Sequence, residues 1–157
     1  MPRTTIACRI VTPLIWACLI VAATAEAAPA TKPKPPFSCT VGRVLDGDTF
    51  QCRDTTKVRL WGVNAAELPH YGKPGEPGAN AAAAYLKGLI VGSTLTCHAK
   101  GRSYDRVVAI CQLPDGADLG QAIVATGHAQ DCAKFSKGAY ATFEQPDVYR
   151  NKRMCGE

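Results

Sequence analysis

The chain has 157 residues, is 46% hydrophobic and carries a formal charge of +5. That hydrophobic share excludes a disordered chain, and the length suits one domain with short extensions. The mild positive charge permits a polyanionic partner without demanding one.

The N-terminus reads as an export signal. Arg3 and Arg9 flank the start of an apolar run over 10–23, and Ala25-Glu26-Ala27 is a small-x-small cleavage pattern. The run is shorter than the roughly 20 residues a spanning helix needs, and it contains Pro13, so a membrane anchor is not expected. The expected organisation is a signal peptide over 1–27, a stiff Pro/Lys linker over 28–36 and a folded domain over 37–157. The mature protein is expected to be periplasmic or secreted, free of the membrane, and monomeric.

Cys39, Cys52, Cys97, Cys111, Cys132 and Cys155 follow the signal. An even number in an exported chain points to disulfides, and six cysteines allow about 15 pairings. No Cys-x-x-Cys occurs and His70, His98 and His128 are scattered, so a zinc site is not expected. Strand geometry favours Cys39 with Cys52 and Cys97 with Cys111, since each pair flanks a turn. Cys132 and Cys155 then remain.

Alternation and β-branched content predict strands over 38–45, 48–53, 56–63, 93–99 and 106–113. Asp46-Gly47 between apolar runs signals a hairpin, because glycine takes positive φ at little cost. An Ala-rich helix is predicted over 79–91, with Pro77 at its first turn and Gly92 as its stop. A second helix fits 118–126, with Asp118 as cap and Gly127 as terminator. Beyond it, 134–138 reads as loop and 139–144 as a helical turn or two ended by Pro146. Arg150, Lys152 and Arg153 read as a solvated basic tail. This order predicts a mainly β, α+β domain: a five-stranded Greek-key OB-type barrel with two to three helices.

The segment 44–67, VLDGDTFQCRDTTKVRLWGVNAAE, gathers a carboxylate (Asp48), a guanidinium (Arg59) and a second carboxylate (Glu67) around two turns. A hard-cation ligand, a phosphate fork and a general base of this kind suit phosphoryl chemistry. With YDRVVAI at 104–110 and the apolar helix ending at Gly127, the chain resembles the staphylococcal nuclease (thermonuclease) family. That family's pattern runs roughly DGDT…RLxGVDAPE…YGRxLA…GLA, and the likeness covers about 39–129.

The resemblance implies the OB-type fold and a set of roles. Calcium would be held by Asp48, Asn64 and the backbone of Ala65. Arg59 and Arg106 would clamp the phosphate, and Glu67 would activate or orient the attacking water. Tyr104 would lie near the bound phosphate or sugar; His70 and Lys73 are expected to border the groove from their own place in the loop after Glu67. Three departures stand out: Asn64 where the pattern has Asp, Ala66 where it has Pro, and Asp105 where it has Gly. Asn64 removes a charge but keeps an oxygen, so weak calcium binding is expected. Asp105 places a negative charge beside Arg106. The implied activity is an exported, calcium-assisted nuclease hydrolysing phosphodiester bonds of DNA and RNA. The alternative is a non-catalytic OB-fold module that binds nucleic acid or another polyanion.

Overall fold

The computed structural model describes residues 34–146 and Cys155. The expected signal, most of the linker and the basic tail at 150–153 lie outside the described residues.

Among the described residues, seven strands and three α-helices follow in chain order. They are β1 (Phe37–Asp46), β2 (Thr49–Cys52), β3 (Lys57–Leu60), β4 (Val63–Ala65), α1 (Ala79–Ile90), β5 (Thr94–Ser103), β6 (Arg106–Gln112), α2 (Leu119–Ala125), β7 (Ala129–Asp131) and α3 (Ala133–Ser136). A 3-10 turn at Ala141–Phe143 follows α3. Five strands close a barrel in the order β1-β2-β3-β6-β5, and β4 with β7 forms a separate two-stranded ladder. Among the described strands only β3 and β6 run parallel, the pairing a Greek-key OB-type barrel requires.

The barrel interior is filled by Phe50, Val58, Leu95 and Val41, all at most 1% exposed. Ala82, Leu86 and Ile90 recur every four residues on α1, so one apolar stripe of the helix covers the barrel. Deleting a fully buried leucine from such a core costs about 2–5 kcal/mol.

Disulfides join Cys39 to Cys52 and Cys97 to Cys111, the two pairs that strand geometry favoured, and Cys132 to Cys155, the pair that remained. Cys97 and Cys111 stand directly opposite each other in the β5–β6 register.

Four local details differ from the sequence expectations. The run 56–63 is not one strand: the chain turns at Trp61 and Gly62, where Gly62 has φ +71°, and β4 leaves the barrel to pair with β7. The strand expected over 93–99 runs on to Ser103 as β5, with a register shift between Ala99 and Gly101, and the hairpin turns at Tyr104 and Asp105. Residues 133–136 form a helical turn where a loop was expected, because the N–H groups of Phe135 and Ser136 both bond the Cys132 carbonyl. Gly47 is not among the glycines with positive φ. A Cβ there would stand 2.6 Å from that of Ala65 and 2.7 Å from that of Ala82. Its glycine lets the β1–β2 hairpin approach β4 and α1, rather than relieving a strained turn.

Candidate active site

The hairpin between β1 and β2 carries Asp46 and Asp48 at its tip, and β3 brings Arg59 alongside through the Thr49–Arg59 register. Leu60 N–H donates to the Asp48 carbonyl at 2.9 Å, which seats the tip on β3. Asp48 is 1% exposed.

Arg59 is the hub. Its Nη1 donates to Asp48 Oδ1 at 2.8 Å and its Nη2 to Asn64 Oδ1 at 3.1 Å. Nη1 also lies 3.9 Å from Glu67 Oε1. Asp48 Oδ1 accepts a second bond from the Thr49 hydroxyl, and Oδ2 accepts from Ala65 N–H at 3.1 Å. A planar guanidinium held at two edges cannot swing, and it keeps N–H donors for a third group.

Arg106 begins β6. Because Arg59 registers with Val108, Arg106 sits two residues away on the same sheet face. Arg59, Arg106, Asn64, Glu67, Tyr104 and Trp61 all line one cleft of about 430 Å³. Tyr104 stands at its lip, 92% exposed, with φ +54°. Asp48 and Ala65 do not line this cleft; they back Arg59 and Asn64 from the interior. His70 and Lys73 pair with each other in the loop after Glu67 and are not on the cleft wall.

A family profile described as "Staphylococcal nuclease homologue" matches residues 57–151. The chain belongs to the staphylococcal nuclease homologue family. The match begins after the Asp46–Thr49 turn, so the fold itself joins that turn to the family's strand. "Probable endonuclease LCL3" of Schizophyllum commune is 31% identical over 112 residues, which are 62% of this chain and 38% of that protein. "Probable endonuclease LCL3" of Verticillium alfalfae is 40% identical over 68 residues, 43% of this chain and 24% of that protein. The chain thus spans well under half the length of these curated relatives.

This family member has site features that its sequence did not announce. The Asp46 carboxyl is pushed up to about 8. Burial is the main cause, followed by the neighbouring Glu67 carboxyl and the charge of Asp48. Burial also pushes the Asp48 carboxyl up, against the pull of Arg59, Ala65 N–H and Thr49. The only sequence signal for Asp46 was its place as the first carboxylate of Asp-Gly-Asp. Trp61, Lys100 and Arg102 also line the cleft, and the Lys100 ammonium lies 5.5 Å from the Trp61 ring centre.

Asp105 does not leave a free negative charge beside Arg106. Lys57 Nζ donates to Asp105 Oδ2 at 2.6 Å, and that hydrogen bond holds the carboxyl below its ordinary value.

The donors suit a hard cation. Asp48 and Glu67 both lie within 3.9 Å of the Arg59 guanidinium, and the ligand atoms they and Asn64 offer are all oxygen. Asp48 Oδ2 and Asn64 Oδ1 each accept one bond, leaving acceptor capacity on both. Among the described residues no three His, Cys, Asp or Glu side chains form a ready chelate. A cation here would therefore rely on the Asn64 amide and backbone oxygen, a set expected to bind loosely.

Proposed function

We propose that this protein is an exported, calcium-assisted nuclease that hydrolyses phosphodiester bonds of DNA and RNA. The carrying observation is Arg59, clamped between Asp48 and Asn64, with Glu67 at 3.9 Å and Arg106 on the same cleft. Family membership and relatives named as endonucleases support the reaction class. Three disulfides and the N-terminal charge and apolar pattern support export. Among the described residues no helix is long and apolar enough to cross a membrane.

A substrate phosphate enters the cleft and meets the free N–H edges of Arg59 and the guanidinium of Arg106. Both planar forks match phosphate oxygens. Their hold strengthens as negative charge builds on the equatorial oxygens during attack. Glu67 accepts the proton of the attacking water as that oxygen bonds to phosphorus and the ester P–O bond breaks. Calcium, when bound, would be held by Asp48, Asn64 and the Ala65 carbonyl, and would supply Lewis-acid polarisation of the phosphoryl group. Tyr104 at the lip offers a ring and a hydroxyl to the flanking sugar or base.

The test is digestion of plasmid DNA and of RNA by oxidised mature protein, with calcium and with chelator, beside Glu67→Gln. The expected result is calcium-stimulated cleavage of both polymers and a loss of about 10²-fold or more in the variant. The uncharged Asn64 favours a second reading, a module that binds nucleic acid without cutting it. Retention of single strands without cleavage, unchanged in Glu67→Gln, would establish that reading instead.

A further inference from the structure

We propose that Glu76 is a positioning residue, whose carboxylate closes the 67–76 loop on the backbone of Glu67 and so keeps the Glu67 side chain beside Arg59. The proposal rests on the nuclease reading for the role of Glu67 itself.

Two hydrogen bonds cross the base of this loop. Glu67 N–H donates to Glu76 Oε2 at 2.9 Å, and Glu76 N–H donates to the Glu67 carbonyl at 2.9 Å. A bond from a backbone N–H to a carboxylate is charge-assisted and stronger than its neutral counterpart. One residue thus supplies both partners for the main chain of the other.

The rest of the loop keeps that clasp closed. Next to its base, Gly75 lies against Pro69: a Cβ on Gly75 would stand 2.8 Å from Pro69 Cδ. Further out, His70 N–H bonds the Lys73 carbonyl at 3.3 Å, and Lys73 N–H returns to the His70 carbonyl at 2.9 Å. At the tip Tyr71 and Gly72 have φ of +47° and +73°, the two consecutive positive values a tight I′ hairpin turn needs. The segment is a closed miniature hairpin rather than a slack connection.

Both ends of the clasp are anchored. Ala65, two residues before Glu67, pairs with Ala129 in the β4–β7 ladder. The Glu76 carbonyl accepts from Ala79 N–H at 3.2 Å, at the start of α1, and Ala79 is buried. Glu67 is therefore bracketed between a strand and a helix, with its side chain 3.9 Å from Arg59. Without the clasp, the backbone at 67 is held from the β4 side alone. A misplacement of about 1 Å in a reacting group reduces rate by about 10²-fold.

The experiment compares the full oxidised protein with Glu76→Ala, Glu76→Gln and Gly75→Ala. It reads kcat and KM on single-stranded DNA in saturating calcium, and hydrogen exchange at the Glu67 amide. Glu76→Ala is expected to lower kcat by about 10- to 100-fold with KM within twofold, since the phosphate is held by arginines elsewhere. Its Glu67 amide should exchange at least about tenfold faster. Glu76→Gln keeps an acceptor oxygen and should retain at least half of wild-type kcat and of the amide's protection. Gly75→Ala pushes Pro69 aside without changing any charge, and should lower kcat in the same direction. Unchanged exchange and kcat in Glu76→Ala would overturn the proposal, as would Glu76→Gln falling as low as Glu76→Ala. Wild-type protein that cleaves nothing refutes the nuclease reading instead, and the exchange comparison still decides whether Glu76 holds Glu67.

Discussion

Replacing Arg59 separates its structural work from its chemical work. The side chain is only 13% exposed, and among the described ion pairs it is the cation that faces buried Asp48. Arg59→Ala strands that carboxylate with Thr49 and a backbone N–H but no positive charge. Breaking a buried pair by removing one partner costs about 3–5 kcal/mol. Arg59→Lys keeps a charge near Asp48, but a single ammonium cannot also reach Asn64. It forfeits one hydrogen bond of the charged class, worth about 1.5–3 kcal/mol. Catalysis responds differently. A lysine supplies no planar fork for the phosphate, so both variants should lose about 10²-fold or more in turnover. The assays are urea unfolding followed by circular dichroism, and initial rates on denatured DNA. The expected pattern is graded stability (wild type above lysine above alanine) with uniformly collapsed activity. Arg59→Lys retaining more than about a tenth of wild-type turnover would refute the fork argument. Arg59→Ala losing less than about 1 kcal/mol would refute the buried-pair argument.

Asn64→Asp adds a charged oxygen within reach of Arg59 and should tighten calcium from a dissociation constant on the order of 10⁻⁴–10⁻³ M, lowering the calcium needed for half-maximal cleavage; calorimetric titration beside activity curves checks it, and equal binding by both proteins removes position 64 from the ligand set. Thiol titration of the denatured, unreduced mature protein should find no free cysteine, and a Cys97→Ala/Cys111→Ala double variant should lose roughly 2–4 kcal/mol in denaturant unfolding, since the closed loop spans 14 residues. Carbon-13 titration of Asp105 should place its midpoint below that of an ordinary aspartate and return it upward in Lys57→Ala, because Lys57 favours the charged form. A carboxyl lowered in this way contributes stability above its unfolded midpoint and loses it on acidification through the folded one, so the small Lys57–Asp105 contribution should vanish in acid and fade in high salt.

Much of this protein was decided by neighbours along the chain, and those parts were legible without a structure. Asp118 caps α2 by accepting from Gln121 N–H, and Gly92, with φ +84°, ends α1; both depend on a few consecutive residues. The disulfide pairs were legible for the same reason: Cys39 with Cys52 and Cys97 with Cys111 span hairpins only 13 and 14 residues long. Asp48, Arg59 and Glu67 were legible as a set because they crowd two adjoining turns, and the family resemblance added Asn64. What remained hidden depends on surfaces that meet across the fold. Gly47 looks like a turn glycine until α1 and β4 are seen closing on it. Gly62 breaks an apparently continuous strand because Val63–Ala65 finds its partner in β7, more than sixty residues on. Asp46 is raised by burial, and only packing determines burial. Glu76 carries no pattern linking it to Glu67; the link appears when a Tyr71–Gly72 turn folds the intervening chain back on itself. Local backbone preferences and capping act over a few residues and are written in order. Close approach, desolvation and hydrogen bonding between distant segments exist only once the chain has closed around its core.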